Sequence, residues 1–390
     1  MKRRYVFLAF LTAAALASAS DFGLALSVAP EYGNEDGFEL TATAGPWFSA
    51  LVGERDSVYL SANCQLDVED GQAAFEFDVR RFQYHMVTSD GKRFDFGRFF
   101  VSDLSGTVVA GLLDGARAEL SAGASSLRLG AYYTGLFNKD TNYLYMSAKD
   151  MADMADADRY FSASRILASA VFFRPGVFGG QSLSVEALGQ FDLRADGDKL
   201  HSQYLEAGLS GPLSSRISYK AYAIASLVEK TDESAAFAGG FAADLSWLPQ
   251  GGPDDKVYGQ IRWGSGQGDS GGSAFVPVTA NPQGNIFDSK LAGLLAARGG
   301  YSARFTEKIS VDGSLCAYFK TGDAVSDPEV VYDSDSGWLG VEVFAFARVV
   351  PVSDAAFSLG AGVFLPNAGG TFVSDAAPRW LVTAVFLFSL

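Results

Sequence analysis

Ser270, in the string Gly268-Asp269-Ser270-Gly271-Gly272, has the neighbours that one class of proteases gives to its nucleophilic serine. Acyl transfer by a serine requires a histidine within hydrogen-bond reach and a carboxylate that orients this histidine. The chain contains two histidines, His85 and His201, and neither has the local sequence of a catalytic histidine in that class. Because the string lies in a glycine-rich stretch, we interpret it as part of a flexible outer loop.

A second candidate for chemistry is His201, which follows Asp196 and Asp198 at a predicted outer rim of the molecule. Hydrolysis at such a site would need a nucleophile and a base in mutual contact. No partner motif accompanies His201, and His85 is predicted to lie in a short, solvated turn. The sequence therefore predicts no catalytic residue, and we expect that the protein is not an enzyme.

Two clusters of aspartates could bind a hard cation. They are Asp150, Asp153, Asp156 and Asp158 in one connection, and Asp333 and Asp335 in another. Calcium takes several oxygen ligands, and carboxylates are among those that it prefers. Neither cluster has the spacing of an EF-hand loop, and a solvated acidic rim explains both more simply. We therefore predict no metal site and no cofactor.

Charged residues that alternate with apolar ones are more informative, because a charge facing lipid would cost about 2–4 kcal/mol near the bilayer midplane. On a polar lumen wall, the same charges would set the field that a solute experiences. The excess of basic residues favours tolerance of anions, while balanced charge pairs without selectivity fit the sequence equally well. The predicted pore-lining residues are Glu76, Asp78, Arg80, Arg117, Glu119, Arg128, Glu186, Asp192, Arg194, Arg216, Lys220 and Arg262.

Strict alternation of apolar and polar residues indicates the elements that would hold these side chains. Between Val58 and Leu66, apolar residues occupy every second position and polar residues occupy the others. Side chains alternate across a strand, so this segment has one apolar and one polar face. Many such segments reach about ten residues, the length that crosses a bilayer, whereas strands of soluble proteins usually have about five or six.

The pattern predicts an all-β, transmembrane, antiparallel up-and-down barrel of about eighteen strands, with about sixteen as the alternative. Connections on the side of the C-terminus are mostly short, and those on the other side are long. The segment 45–55 is an exception, because it looks long where a short turn is expected. The strands are predicted to start near Phe22, Gly37, Ser57, Ala73, Arg93, Gly115, Ser126, Tyr160, Gln181, His201, Ser215, Ala235, Lys256, Ser289, Lys308, Gly337, Asp354 and Arg379.

The first nineteen residues have the three parts of a secretory signal peptide. The basic residues Lys2, Arg3 and Arg4 precede an apolar run that ends in Ala17-Ser18-Ala19, an A-x-A cleavage site. We therefore predict a signal peptide over residues 1–19 and a single barrel domain over residues 20–390.

Removal of the signal peptide would leave 27 basic side chains against 45 acidic ones, a formal charge of −18. So acidic a chain is a poor partner for nucleic acid, and none is expected. The chain has two cysteines, Cys64 and Cys316, which do not make a disulfide framework. We interpret them as isolated small apolar residues.

The last twelve residues resemble the closing strand of bacterial outer-membrane barrels. Apolar residues occupy alternate positions back from the end, including Trp380, Phe386, Phe388 and Leu390. In that family the terminal residue is usually Phe, and the barrel-assembly machinery recognises this strand. The resemblance implies an outer-membrane location, and it makes Trp380, Phe386, Phe388 and Leu390 the predicted assembly signal.

The chain is similar in size to porins and substrate channels, and this resemblance implies passive diffusion of small polar solutes. In porins a loop near 99–114 folds inward, so we expect this segment to narrow the lumen. The alternatives are a surface-display or adhesion barrel, or a plugged substrate transporter whose long outer loops carry the function. The expected partners are outer-membrane lipid, the barrel-assembly machinery and small polar solutes, and a homo-oligomer remains open.

Overall fold

Most of the chain forms β-strands, because alternating residues give each segment an apolar and a polar face. The computed structural model describes residues 19–390, apart from 36, 142–143, 157, 196–198, 232, 250–253, 268–272, 323–336 and 374. The strands are β1 (Ala19–Gly33), β2 (Gly37–Val52), β3 (Asp56–Glu69), β4 (Gln72–Val87), β5 (Arg93–Ser102), β6 (Ala110–Ala122), β7 (Ser125–Tyr133), β8 (Arg165–Phe178), β9 (Gln181–Asp192), β10 (Leu200–Pro212), β11 (Ile217–Lys230), β12 (Ala236–Trp247), β13 (Lys256–Gly264), β14 (Leu294–Thr306), β15 (Ile309–Lys320), β16 (Trp338–Val352), β17 (Ala355–Pro366) and β18 (Arg379–Ser389).

The eighteen strands form one closed, antiparallel, up-and-down barrel. Each strand pairs with its neighbours in sequence, and β1 pairs with β18, with Val28 opposite Phe386. The amide of Leu24 donates to the carbonyl of Leu390, and the amide of Leu390 donates to the carbonyl of Leu24, both at 2.9 Å. Closure leaves no free sheet edge at this junction, and the predicted fold class and strand number are confirmed.

The connections differ sharply at the two ends of the barrel. One end, which we call the short-turn end, carries both termini of the barrel and the connections 53–55, 88–92, 123–124, 179–180, 213–216, 248–255, 307–308 and 353–354. The opposite end, the long-loop end, carries 34–36, 70–71, 103–109, 134–164, 193–199, 231–235, 265–293, 321–337 and 367–378. The helix α1 (Ala148–Ala155) lies in the connection 134–164.

Four sequence-based boundaries need correction. The strand predicted from Gly115 begins earlier, at Ala110, because the connection between β5 and β6 comprises only 103–109. The long connection expected over 45–55 is wrong, because β2 continues to Val52 and only 53–55 form the turn. Gly45-Pro46 looks like a turn signal, but the β2–β3 register skips both residues, and a strand tolerates proline where it makes no ladder hydrogen bond. The strands predicted from Tyr160 and Ser289 begin later, at Arg165 and Leu294, because the preceding residues belong to loops.

The two faces of the barrel wall have opposite character. Large apolar side chains such as Phe22, Phe75 and Phe237 point outward and are 85%, 70% and 75% exposed. An outward belt of this kind is what a hydrocarbon environment requires of a barrel. Polar residues occupy the alternate, inward positions. No helix in the described ranges has the length and apolarity needed to cross a membrane.

The β4–β5 junction is the shortest pairing in the wall. These strands are paired only from Phe82 opposite Arg98 to Val87 opposite Arg93. Gly97 has a φ of +105°, a conformation that disfavours any residue with a Cβ, and an added Cβ would lie 2.1 Å from the carbonyl oxygen of Phe82. Beyond Arg98, β5 no longer pairs with β4, so other groups must close the wall there.

Arg98 closes this junction with a buried set of charges. Its Nη1 donates to Oδ1 of Asp78 at 3.0 Å and to the carbonyl of Val79 at 2.6 Å. Its Nε donates to Oδ1 of Asp114 at 2.9 Å, and its Nη2 donates to the carbonyl of Leu136 in the connection 134–164. One guanidinium therefore joins β4, β5, β6 and a long loop.

We expect Arg98→Ala to destabilise the barrel by about 3–5 kcal/mol, because it leaves the buried carboxylate of Asp78 and the half-buried carboxylate of Asp114 without their cation. The matched control is Arg93→Ala, which removes an exposed ion pair to Glu119 with a 3.8 Å separation. The control should cost less than about 1 kcal/mol. Urea unfolding of the refolded barrels measures both, and equal losses would contradict this role of Arg98.

Candidate functional site

Two loops fold into the lumen from the long-loop end. We call 103–109 the first inward loop and the described residues of 265–293 the second inward loop. The first is organised by Asp103, whose Oδ2 accepts hydrogen bonds from the amides of Ser105 and Gly106 at 3.1 and 3.0 Å. Its Oδ1 accepts from the amides of Val108 and Val109 at 3.1 and 2.7 Å. A single buried carboxylate therefore fixes the shape of this loop.

The first inward loop is the middle part of the expected segment 99–114, whose two ends belong to β5 and β6. The amide of Leu104 donates to Oε2 of Glu186 on β9 at 3.0 Å. The carbonyl of Val108 accepts from the amides of Val278 and Thr279 at 2.7 and 3.1 Å. The two inward loops are therefore hydrogen-bonded to each other, and the first is also attached to the wall at β9.

The second inward loop is held by Glu342 of β16. Oε1 of Glu342 accepts from the amide of Asn285 at 2.9 Å, and Oε2 accepts from the amides of Ile286 and Phe287 at 3.0 Å each. Glu342 is buried, and it satisfies three consecutive amides that would otherwise lack partners. The loop is thereby attached to the wall opposite the first loop.

Apolar packing fills the space between the loops and the wall. The larger cluster joins side chains of the inward loops, such as Val108 and Phe275, to inward residues of the strands, such as Leu113 and Tyr204. A second cluster surrounds Phe287, whose ring is stacked on Phe364 with centroids 4.6 Å apart and also contacts Tyr318 and Phe372. The lumen at the long-loop end is therefore narrowed by a packed core.

The aspartates of the connection 134–164 lie in two settings. Asp156 and Asp158 are exposed, as the prediction of a solvated rim requires. Asp150 does not fit that prediction, because it is 1% exposed and both of its oxygens accept from Nη2 of the fully buried Arg165, at 3.0 and 2.8 Å. Arg194 lies 2.9 Å from Asp150 and 2.5 Å from Asp192. Arginines from other elements neutralise Asp150, and spacing along the chain does not predict such partners.

The pKa of Arg194 is raised. Burial opposes the charged form, but the hydrogen bond with Asp192 and the charges of Asp150, Asp192 and Asp153 outweigh it. In the second inward loop, burial instead lowers the pKa of Lys290, whose Nζ lies 4.6 Å from the centroid of the Tyr145 ring.

His85 also differs from expectation. It lies in β4 and not in a turn, and its Nδ1 is 2.8 Å from Oδ1 of Asp95. Asp95 also accepts from Nε2 of Gln83 at 2.6 Å and from Nη2 of Arg117 at 2.8 Å. These four residues form one inward network, so the predicted lining residue Arg117 is joined to a carboxylate of the wall.

The short-turn half of the lumen is more open and carries unneutralised basic residues. A pocket of about 400 Å³ is lined by Lys220, Asp244, Lys256, Tyr258 and Asp312, among others. The Tyr258 hydroxyl donates to Oδ1 of Asp312 at 3.0 Å, and Lys256 lies 5.5 Å from the Tyr258 ring centroid. In the part of the chain that the structure describes, neither Lys220 nor Lys256 forms a salt bridge.

The other predicted lining residues lie in different settings. Arg262 pairs with Asp244 at 2.8 Å, and a pocket of about 230 Å³ includes Arg80. Arg128 is the register partner of Glu119. Glu76 and Asp78 share the inward face of β4, where Asp78 is buried against Arg98, and Glu186, Asp192 and Arg194 are buried as well. Arg216 lies in the turn 213–216, just before β11 begins.

Trp380, Phe386 and Phe388 share the outward face of β18 and are 38%, 39% and 48% exposed. Leu390 follows the strand and is 75% exposed. Cys64 and Cys316 are both free thiols. Ser270 and its neighbours, Asp196, Asp198, Asp333, Asp335 and the segment 1–18 lie outside the described residues. No group of three or more potential metal-ligating side chains is present among the residues that were described.

Sequence reasoning identified the first inward loop but missed Glu342 and Arg165 as residues that hold loops. Glu342 is an inward glutamate in an otherwise apolar run, and strict alternation along β16 would have assigned it to the lumen. Its three amide partners lie 55–57 positions away along the chain, and no sequence pattern links them.

Several solved structures have a similar fold. The chain matches Pseudomonas aeruginosa OccK11 (OpdR) with a TM-score of 0.60 and 12% identity, covering 95% of this chain and 96% of that one. It matches P. aeruginosa OccK2 (OpdF) in complex with glucuronate with a TM-score of 0.61 and 10% identity, covering 96% and 99%. For the outer membrane protein opdK of the same organism, the values are 0.60 and 9%, covering 96% and 99%.

No protein-family model and no curated protein sequence matches the chain. The similarity to the solved structures spans almost the whole length of both partners, from the first strand to the closing strand. At these low identities it is a similarity of fold, namely a closed barrel of the kind found in outer-membrane proteins of P. aeruginosa.

Proposed function

We propose that this protein is an outer-membrane channel through which small polar solutes diffuse passively and selectively. The observation that carries the proposal is a closed barrel whose lumen is narrowed by two inward loops and remains open at the short-turn end. The exposed apolar outer face suits a lipid environment. The fold shared with the outer membrane protein opdK supports the same location.

Charges are unevenly distributed over the lumen wall. Acidic residues cluster on the inward faces of β1–β4 near the long-loop end, and basic residues cluster on the inward faces of β11–β16, where Asp244, Asp312 and Glu342 also face inward. The first set comprises Glu31, Glu39, Asp67, Glu69 and Glu76, and the second comprises Lys220, Lys256, Arg262, Arg298, Arg304 and Arg348. The second set supports tolerance of anions, including carboxylates, and OccK2 (OpdF) was solved with the carboxylate glucuronate.

The role of the predicted pore-lining residues follows from this arrangement. Lys220, Arg262, Arg80, Arg128 and Glu119 would contact the solute path, because they lie on inward faces or in the open pockets. Asp78, Glu186, Asp192 and Arg194 would act indirectly, because they are buried where the loops meet the wall. On the outer face, Trp380, Phe386 and Phe388 would contact lipid and serve assembly, together with Leu390.

Single-channel current from refolded protein in a planar bilayer tests the proposal directly. We expect stable unitary steps with a conductance below that of a wide, unobstructed pore, because the inward loops occupy much of the cross-section at the long-loop end. A folded barrel that carries no current would reject passive diffusion.

A double variant, Lys220→Gln with Lys256→Gln, should shift the reversal potential in a salt gradient toward cation permeability. Each charge, about 8 Å from a permeating ion in water, contributes about 0.5 kcal/mol, or roughly a twofold change in anion permeability. Lys92→Gln is the matched control, because Lys92 lies in the turn 88–92 and pairs with Asp90. An unchanged reversal potential in the double variant would reject anion tolerance at this wall.

Glu342→Ala should enlarge the unitary conductance, because it removes the acceptor for the amides of Asn285, Ile286 and Phe287. The substitution should also lower the free energy of unfolding by about 1–3 kcal/mol, because three buried amides lose their hydrogen-bond acceptor. Glu307→Ala in an exposed turn should change neither quantity. A Glu342→Ala channel with wild-type conductance would show that the second inward loop does not narrow the path.

A plugged substrate transporter is the second candidate, and the packed core between the loops is the observation that favours it. No separate plug domain is needed to block the lumen in that case, because the two inward loops would block it. In such a protein, current would be absent in the wild type and would appear in Glu342→Ala. The single-channel measurement therefore separates the two candidates.

A further inference from the structure

Two glutamates lie side by side beneath the first inward loop. Glu186 of β9 and Glu206 of β10 are register partners, and both face the lumen. They are 3% and 1% exposed. Oε2 of Glu186 accepts the hydrogen bond from the amide of Leu104, so the same carboxylate that neighbours Glu206 also holds the tip of the loop.

Glu206 has no backbone amide or basic side chain as a comparable partner. Its polar neighbours are the side chains of Asp103 and Ser105, and the buried Oγ of Ser226 on β11 has no hydrogen-bond partner in the described ranges. No basic side chain in those ranges lies within salt-bridge distance of Glu186 or Glu206. An ionised carboxylate in this setting is costly, and two adjacent buried carboxylates strongly resist ionising together.

The groups around the two glutamates do not relieve this repulsion. Asp103 and Ser105 of the first inward loop lie over them, and the carboxylate of Asp103 is already occupied by loop amides. Arg128 and Tyr132 of β7 act on the Glu186 side, and Tyr222 of β11 lies on the Glu206 side. The positive charge of Arg128 and the amide of Leu104 both favour the ionised carboxylate of Glu186. The proton shared by the two glutamates therefore resides on Glu206.

We propose that Glu186 and Glu206 form a proton-controlled latch on the first inward loop. While Glu206 keeps its proton, the loop remains hydrogen-bonded to Glu186 and narrows the lumen. Loss of that proton to lumen water places a second negative charge beside Glu186 and Asp103. The loop then moves away from the wall, because separation of Asp103 from the two glutamates relieves the repulsion. The latch rests on the proposed channel function, since it controls the width of that path.

The test is unitary conductance measured between about pH 5 and pH 9, a range that spans the titration of a shared carboxyl proton. Wild-type conductance should rise by about twofold over roughly two pH units, as a single-proton transition requires. Glu206→Gln is the neutral mimic of the protonated state, so it should keep the low conductance at every pH. Glu307→Gln, in an exposed turn, should show the wild-type rise.

In a conducting barrel, constant wild-type conductance over this range would overturn the latch, as would a Glu206→Gln channel that retains the rise. Hydrogen exchange of the amides 104–109 gives a second readout that needs no current. Protection factors, corrected for the intrinsic pH dependence of exchange, should fall at high pH in the wild type and stay constant in Glu206→Gln.

The two measurements separate the latch from the channel. The wild-type barrel could carry no current while protection of the amides 104–109 still falls as the pH rises, and stays constant in Glu206→Gln. That result would uphold the latch and reject passive diffusion. A conducting barrel whose corrected protection does not change with pH would reject the latch and leave the proposed channel function intact.

Discussion

A chain that crosses hydrocarbon must pair every backbone N–H and C=O within the protein, because lipid offers no hydrogen-bond partner. In this protein the requirement is met by closure of β18 on β1, where Leu24 and Leu390 exchange backbone hydrogen bonds. The β4–β5 junction shows what happens where pairing stops early. There Arg98 donates to the carbonyl of Val79, and the hydroxyl of Tyr160 donates to the carbonyl of Phe77. Side chains thus satisfy backbone carbonyls of β4 that do not pair with β5.

Once the wall is closed, the lumen is shaped by carboxylates that bind loop backbone. Asp103 accepts hydrogen bonds from amides of its own loop, and Glu342 accepts hydrogen bonds from three amides of the second inward loop. Asp150 is held by Arg165 and also accepts the amides of Met146 and Ser147. Charged acceptors form stronger hydrogen bonds than neutral ones, and their strength grows where water is excluded. Loops without regular structure can therefore hold fixed positions inside the barrel.

The wall could be predicted from the sequence because it obeys a local rule. Alternation and strand length gave the strand number and most boundaries, since each strand pairs with its neighbour in the chain. The rule failed at Gly45-Pro46, where a turn signal lies inside β2, and at Arg216, which precedes β11. The lumen could be predicted only in part. Alternation places Glu186 and Lys220 inward, but it does not show that one is buried and the other borders open space.

Whether an inward residue is buried depends on the loops, because they cover some parts of the wall and leave others open. Loop contacts connect residues that are far apart in the chain. Glu186 meets Leu104 across 82 positions, whereas Lys220 remains beside a pocket that no inward loop fills. A buried carboxylate without a cation is unfavourable for stability alone, and a leucine at position 206 would pack at lower cost. The presence of two adjacent glutamates beneath the narrowing loop is therefore better explained by the proposed effect of their charge on the solute path than by the stability of the wall.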